Sequence, residues 1–327
     1  MTNSRHKTRN SGIYKRMADN FSVVLSGLYF DSDIPFALYI ADVAVNVVFS
    51  AAAVPGNTFI MVALRKLSPL QIHSVLKVFL FSLALADLGV GAVVQPLYIT
   101  AVLTAMTGRL EASRTIGAIF YVVNWLMPYI SFATLTGIAI DRYLALYFRL
   151  RYRILVTTKR VIILLILLWI LTIAGTSFVL WNHIVYNALA NAIIAVFLFL
   201  TTVCYLKIYL TLRHQNGRFR AVAPVELSSG TRSLSKRHNF NLARYKKTVN
   251  NMLYVYLAFI LCYLPLFCIL IVIHVRGVNR IIKILRFLSA TLIFVNSSLN
   301  PILYCWKIRE IRQVVLAAIA KMFCCCS

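Results

Sequence analysis

Acidic residues are scarce in this chain. Nine Asp and Glu stand against 34 Lys and Arg, a formal charge of +25 over 327 residues. Such a balance suits nucleic acid when the bases gather in one domain or stripe. Here they fall between long uncharged apolar blocks, so no nucleic-acid partner is expected. The first 20 residues, MTNSRHKTRNSGIYKRMADN, hold no apolar core. A cleaved signal peptide is therefore not expected, and the first apolar block would itself act as the targeting signal. No His or Cys cluster has zinc spacing, and no His, Cys or acid cluster converges as an enzyme site would require.

What the chain has in abundance is apolar sequence. It is 61% hydrophobic with a mean hydropathy of +0.80, where a soluble protein is about half apolar. A helix needs about 20 apolar residues to cross a bilayer. Seven candidate spans follow, at 36–64, 71–99, 113–140, 161–181, 184–206, 248–274 and 281–306. The stretch from Val161 to Leu206 holds 46 residues without Lys, Arg, Asp or Glu. At ~1.5 Å per residue it is about 70 Å of helix, twice what a bilayer needs. It must be two spans with a short turn near Trp181, Asn182 and His183. The expected fold is all-α: a seven-helix transmembrane bundle (36–306) between an outer tail (1–35) and a C-terminal segment (307–327).

The bases set the expected orientation. Segments 65–77, 142–160, 207–247 and 307–321 carry 23 of the 34 Lys and Arg. That side should be cytoplasmic and the N-terminus outside. Asn20 then begins a glycosylation sequon on the outer side. The polar segment 207–247 reads as a basic loop near anionic lipid and as an extension of two helices toward a partner. No internal repeat is visible, and an odd number of spans gives no inverted pair of the kind transporters use.

Few ionisable groups remain inside the spans. Asp87 sits in FSLALADLGVG, far from any base in sequence. A bare carboxylate there is costly, so it must be neutral, hydrogen-bonded or paired with a cation. Asn57, Ser131, Asn296, Ser297 and Asn300 supply further oxygen groups on other spans. Such groups also act as interhelical glue. One carboxylate with several neutral oxygens suits a hard monovalent cation such as sodium. Pro265 and Pro301 each remove a backbone hydrogen bond inside a helix and should kink it. The uncharged run Ile116 to Ile140 ends on Asp141 and Arg142, an abrupt pair of charges at a membrane edge.

Taken in order, these residues resemble the rhodopsin-like G-protein-coupled receptors over nearly the whole chain. The resemblance rests on Gly56-Asn57, on Leu83-Ala84-Leu85-Ala86-Asp87 and on Asp141-Arg142-Tyr143. It continues through Trp169, Tyr205, Phe259, Cys262 and Pro265 to Asn300-Pro301-Ile302-Leu303-Tyr304. It implies a receptor that binds an extracellular ligand at the plasma membrane and activates a heterotrimeric G protein, with arrestin a further possible partner. Asp141, Arg142 and Tyr143 would form the coupling switch, with Tyr205 and Tyr304 stabilising the active packing. Leu150 would meet the G protein. Asp87, Ser131, Asn296 and Asn300 match a sodium pocket that favours the inactive state. Phe259, Tyr263, Pro265 and Pro301 would form the activation hinge. In WKIREIRQVVLAAIAKMF, Ile308, Ile311, Val315 and Ile319 recur at helical spacing. This reads as an amphipathic helix lying on the bilayer, followed by palmitoylation candidates Cys324, Cys325 and Cys326.

The departures from that pattern are specific. Gly117 stands where most members carry a disulfide cysteine, Phe197 lies near the usual fifth-span proline, and Tyr263 replaces the sixth-span tryptophan. The two missing features resemble the melanocortin, cannabinoid, lysophospholipid and adenosine branch. Tyr245 stands where a second acid would hold Arg142, which would raise basal activity. Asn124 takes the place of the amine-binding acid, and Phe294 lies near the retinal lysine. An apolar pocket of Phe120, Tyr121, Trp125, Met127, Leu266, Phe267, Phe287 and Phe294 remains, with Asn124 as a polar handle. His274, Arg276, Arg280, Lys283 and Arg286 should ring its mouth. That chemistry suits an amphipathic anion or a small peptide. The alternatives are a constitutive or heteromer-partner receptor, and a transporter.

Overall fold

The structure is a computed structural model that describes residues 34–69, 71–148, 151–177, 183–222 and 229–324. Seven of its helices are long and apolar enough to cross a membrane. They are Phe36–Lys66, Ser74–Met106, Leu110–Phe148, Thr158–Ser177, His183–Val222, Ser229–Arg276 and Arg280–Lys307, called here spans 1 to 7. A single turn, Tyr152–Leu155, lies between spans 3 and 4, and a last helix covers Arg309–Cys324. No strand occurs among the described residues.

All seven expected spans are present, but several run further than the apolar pattern indicated. Span 2 continues to Met106 and span 3 runs from Leu110 to Phe148. Spans 5 and 6 extend to Val222 and back to Ser229, so most of 207–247 is helical. The reason is general: a helix already paid for by its membrane segment propagates into water at little further cost. The turn expected at Trp181–Asn182 lies outside the described residues. Two other connections are tight, and each uses a glycine with positive φ, Gly108 at 73° and Gly277 at 76°.

Span 3 packs against spans 2, 4 and 5, and span 7 packs against spans 1 and 6. The main core lies toward the basic half, where Leu80, Leu83, Ile138, Phe259 and Tyr304 are buried. Large apolar residues such as Leu164, Leu171 and Leu261 are exposed. In a bilayer these face lipid, as an apolar outer surface requires.

Polar groups stitch the bundle. Asn57 Nδ2 donates to the carbonyl of Ser297 at 3.0 Å, and Ser298 Oγ donates to the carbonyl of Phe49 at 2.8 Å. Trp169 Nε1 donates to Ser82 Oγ at 3.3 Å, holding span 4 on span 2. Span 2 opens into a π-helical turn at Val90–Val94. There the Gly91 carbonyl accepts from Ser50 Oγ at 2.7 Å. A Cβ at Gly91 would sit 2.7 Å from that of Ala53, so glycine permits the close approach. The C-terminal helix starts after a break at Ile308 and turns Ile308, Ile311 and Val315 into the core. That is the apolar stripe expected from sequence.

Candidate functional site

The abrupt charge pair is buried. Asp141 and Arg142 are 3% and 7% exposed. Arg142 Nε donates to Asp141 Oδ2 at 2.9 Å, and its Nη2 donates to the same oxygen. The other carboxylate oxygen accepts from the Tyr152 hydroxyl at 2.5 Å. A buried ion pair holds only when its remaining lone pairs are satisfied, and Tyr152 supplies that partner. Burial and the adjacent Asp141 charge raise the Tyr152 pKa, which keeps the phenol a donor. From span 6, Tyr245 OH donates to the backbone carbonyl of Arg142 at 2.5 Å. Span 6 is therefore tied to the end of span 3 through a neutral phenol. His73, beside the Tyr152 ring at 5.8 Å, has its pKa lowered by burial and by the Arg142 charge.

Not every expected switch residue joins this cluster. Tyr143 stacks instead on Tyr147, with Lys207 Nζ 5.7 Å from its ring centre. One residue of helix advances 100°, so neighbours of Arg142 face elsewhere. Tyr205 stacks on Tyr256 at 5.4 Å. Tyr304 is 1% exposed and its hydroxyl has no partner. Leu150, Asn20, Cys325 and Cys326 lie outside the described residues, and Cys324 ends the last helix.

Asp87 is 1% exposed and its Oδ2 accepts from Asn300 Nδ2 at 2.6 Å. Ser131, Asn296 and Ser297 line the same small cavity, about 10 Å³, just enough for one water-sized occupant. The amide oxygens of Asn296 and Asn300 are buried without a partner. Carboxylate, hydroxyl and orphaned amide oxygens form an all-oxygen donor set, the chemistry a hard cation uses. Just beyond, the rings of Phe259 and Tyr263 stack at 4.3 Å, and Phe132 meets both edge-on.

Toward the outer end a cavity of about 510 Å³ opens. Phe120, Tyr121, Asn124, Leu266, Phe267, Arg286 and Phe294 all line it, as expected from sequence. Trp125 and Phe287 line it too. Met127 does not: its methyl packs where a Cβ of Gly89 would be, at 2.8 Å. Lys283 and Arg286 reach the cavity, whereas Arg276 and Arg280 are exposed away from its lining. Asn124 and Tyr263 line both this cavity and the smaller one below. Behind Trp125, its indole nitrogen and the hydroxyls of Tyr129 and Tyr186 are buried without partners.

One residue escaped the sequence reading. Asp42 of span 1 is 4% exposed. It accepts from Tyr98 OH at 2.6 Å and from Thr291 Oγ1, joining spans 1, 2 and 7. Gln95 Nε2 donates to Asn46 Oδ1 at 3.3 Å one turn below. The signal was present as Asp42, Asn46 and Ser50, a polar stripe at intervals of four. Tyr98 packs its ring on Phe120 and Phe294 at 5.4 and 5.5 Å, so Asp42 positions part of the cavity wall. Asp42→Ala is expected to cost about 1–2 kcal/mol, as is Tyr98→Phe. The double variant should lose clearly less than the sum in a denaturation series on purified protein, because both remove the same bond.

The sequence matches the family described as 7 transmembrane receptor (rhodopsin family) over residues 56–183 and 175–304. It is 25% identical over 308 residues to the adenosine receptor A3 of Ovis aries, covering 86% of this chain and 90% of the relative. To the histamine H2 receptor of Homo sapiens it is 26% identical over 280 residues, covering 78% and 72%. Seven apolar helices, the stitched polar core and the family match converge. The chain belongs to the rhodopsin family of seven-transmembrane receptors, multi-pass membrane proteins that are not enzymes, bind an extracellular ligand and signal through G proteins.

Proposed function

We propose that the ligand is an amphipathic anion, with an apolar body and a carboxylate or phosphate. The observation that carries this is the 510 Å³ cavity, walled by aromatic and aliphatic residues with Lys283 and Arg286 at its lining. Among the described residues no Asp or Glu lines it. A cationic amine would find no counter-charge there, since Asn124 offers only an amide and Asp42 is engaged behind Tyr98. This separates the chain from what the names of its histamine and adenosine relatives indicate. The orphaned donors of Trp125, Tyr129 and Tyr186 favour an acceptor-bearing ligand as well.

In the same reading the N-terminus is outside, the receptor sits in the plasma membrane, and the basic end of the bundle faces the cytoplasm. The C-terminal helix lies on the bilayer with its cysteines acylated. Arg142 is the coupling residue, held by Asp141 in the resting form. Its guanidinium carries a fixed charge and five donors, suited to a G protein once released. Tyr152 and Tyr245 strengthen the resting form by holding the acid and the span 3 backbone. Arrestin would meet the same cytoplasmic face. Asp87, Ser131 and Asn296 would hold a sodium ion, which supplies the positive charge Asp87 lacks and favours the resting packing.

Three measurements test these assignments. G-protein activation by the receptor in nanodiscs is read with lysophosphatidate, oleate, histamine and adenosine as probes. The lipid anions should activate and the other two should not. Arg286→Ala should raise the half-maximal concentration roughly tenfold; activation by histamine alone would overturn the ligand class. Without any ligand, Tyr152→Phe should increase exchange several-fold while Arg142→Ala abolishes it. Equal basal rates in all three proteins would remove the switch. Replacing sodium with choline should raise basal exchange in the wild type and leave Asp87→Asn unchanged. A sodium effect that persists in Asp87→Asn would place the ion elsewhere.

A further inference from the structure

A second large cavity lies on the outside of the bundle, between spans 1, 2 and 4, with a volume of about 710 Å³. Its walls are apolar: Val78, Phe81 and Leu85 on span 2 face Ile162, Ile166 and Trp169 on span 4. Its floor is pinned by the Trp169–Ser82 hydrogen bond. One end differs from the rest, because Arg65, Lys77, Ser74 and Thr158 line it there. It is separate from the ligand cavity, which none of these residues lines.

Both bases are held in place. Lys77 is half-buried and its Nζ donates to the carbonyl of Leu67 at 2.8 Å, at the end of span 1. The Arg65 guanidinium lies 5.4 Å from the Phe81 ring centre, a cation–π contact at the groove itself. Neither has an ion pair with an acid among the described residues. Two fixed cations and two hydroxyls thus cap one end of an apolar trough. The trough runs from Ser74 to Leu85, eleven helical steps or about 16 Å, which is half the hydrocarbon thickness of about 30 Å.

We propose that this groove is a site for an anionic phospholipid of the cytoplasmic leaflet. Its phosphate sits between Arg65 and Lys77, within reach of the Ser74 and Thr158 hydroxyls. One acyl chain lies along Phe81, Leu85 and Ile166. The depth matches one leaflet, which a free phosphate would not use. A sterol would fill the trough but bring no charge to the two bases. The leaflet assignment rests on the orientation proposed above; the binding chemistry does not.

The test uses the full-length receptor in mild detergent. Dioleoyl phosphatidylserine, dioleoyl phosphatidylcholine, cholesterol and inorganic phosphate are each titrated, and bound mass is read by native mass spectrometry. Phosphatidylserine should bind roughly tenfold or more tightly than phosphatidylcholine, and R65Q/K77Q should abolish that preference. Ile166→Trp, which fills the trough and leaves the bases, should weaken both phospholipids. If Lys77→Gln does not fold, Arg65→Gln and Ile166→Trp alone decide the matter. Equal affinity for the two phospholipids would overturn the site. So would a serine-lipid preference that survives loss of the bases, full competition by inorganic phosphate, or displacement of the phospholipid by equimolar cholesterol. G-protein coupling is scored separately, so a failed lipid site leaves the receptor assignment untouched.

Discussion

The hydrogen bond from the Asn300 amide to the Asp87 carboxylate joins spans 2 and 7 in the middle of the bundle, where no water from the bilayer can substitute. Much of the molecule is arranged around it. Asn57 fixes span 1 to span 7 a turn away by donating to Ser297. The small oxygen-lined cavity lies beside it, and Tyr263 and Asn124 form the partition between that cavity and the large outer one. Tyr304, four residues on from Asn300, is buried among the core residues toward the cytoplasmic switch. A polar centre in an apolar solvent has few alternative partners, so it fixes the register of the helices that share it.

The two ends of the bundle solve the same problem differently. At the outer end the buried acid Asp42 is neutralised by neutral donors, Tyr98 and Thr291, drawn from two other spans. The result is a braced wall, suited to holding a cavity open. At the inner end the acid Asp141 is held by a charged neighbour on its own helix and by Tyr152 from the following turn. Only Tyr245 links that pair to span 6, through one hydrogen bond. A single contact between otherwise separately built elements is what a two-state bundle can break at modest cost.

The surface divides on the same principle. Spans 4, 5 and 6 expose large aliphatic residues almost without polar interruption. The exception is the capped trough between spans 1, 2 and 4, where fixed bases meet an apolar surface. An interior acid can find a donor among packed helices, but Arg65 and Lys77 face outward, where only lipid or water can answer their charge.

Local chemistry made most of this legible. Runs of 20 or more apolar residues must be helices in a bilayer, since no other backbone satisfies itself alone. The bases between them fixed the expected sidedness, and the ordered motifs from Gly56-Asn57 to Tyr304 located the switch, the polar centre and the pocket-lining residues. Helix ends were less legible, because propagation beyond the membrane depends on contacts rather than on hydropathy. Asp42 was missed because a lone acid in an apolar run states no partner; Tyr98 and Thr291 come from positions 56 and 249 residues away. Met127 was misplaced, and Tyr143 set apart from Arg142, because which face of span 3 meets which neighbour is decided by packing angle. Thus the sequence by itself determined the helices, their number and the polar residues each must hide. Only the tertiary structure decided which of those residues meet, because partner choice between helices is set by rotation and close approach, not by composition.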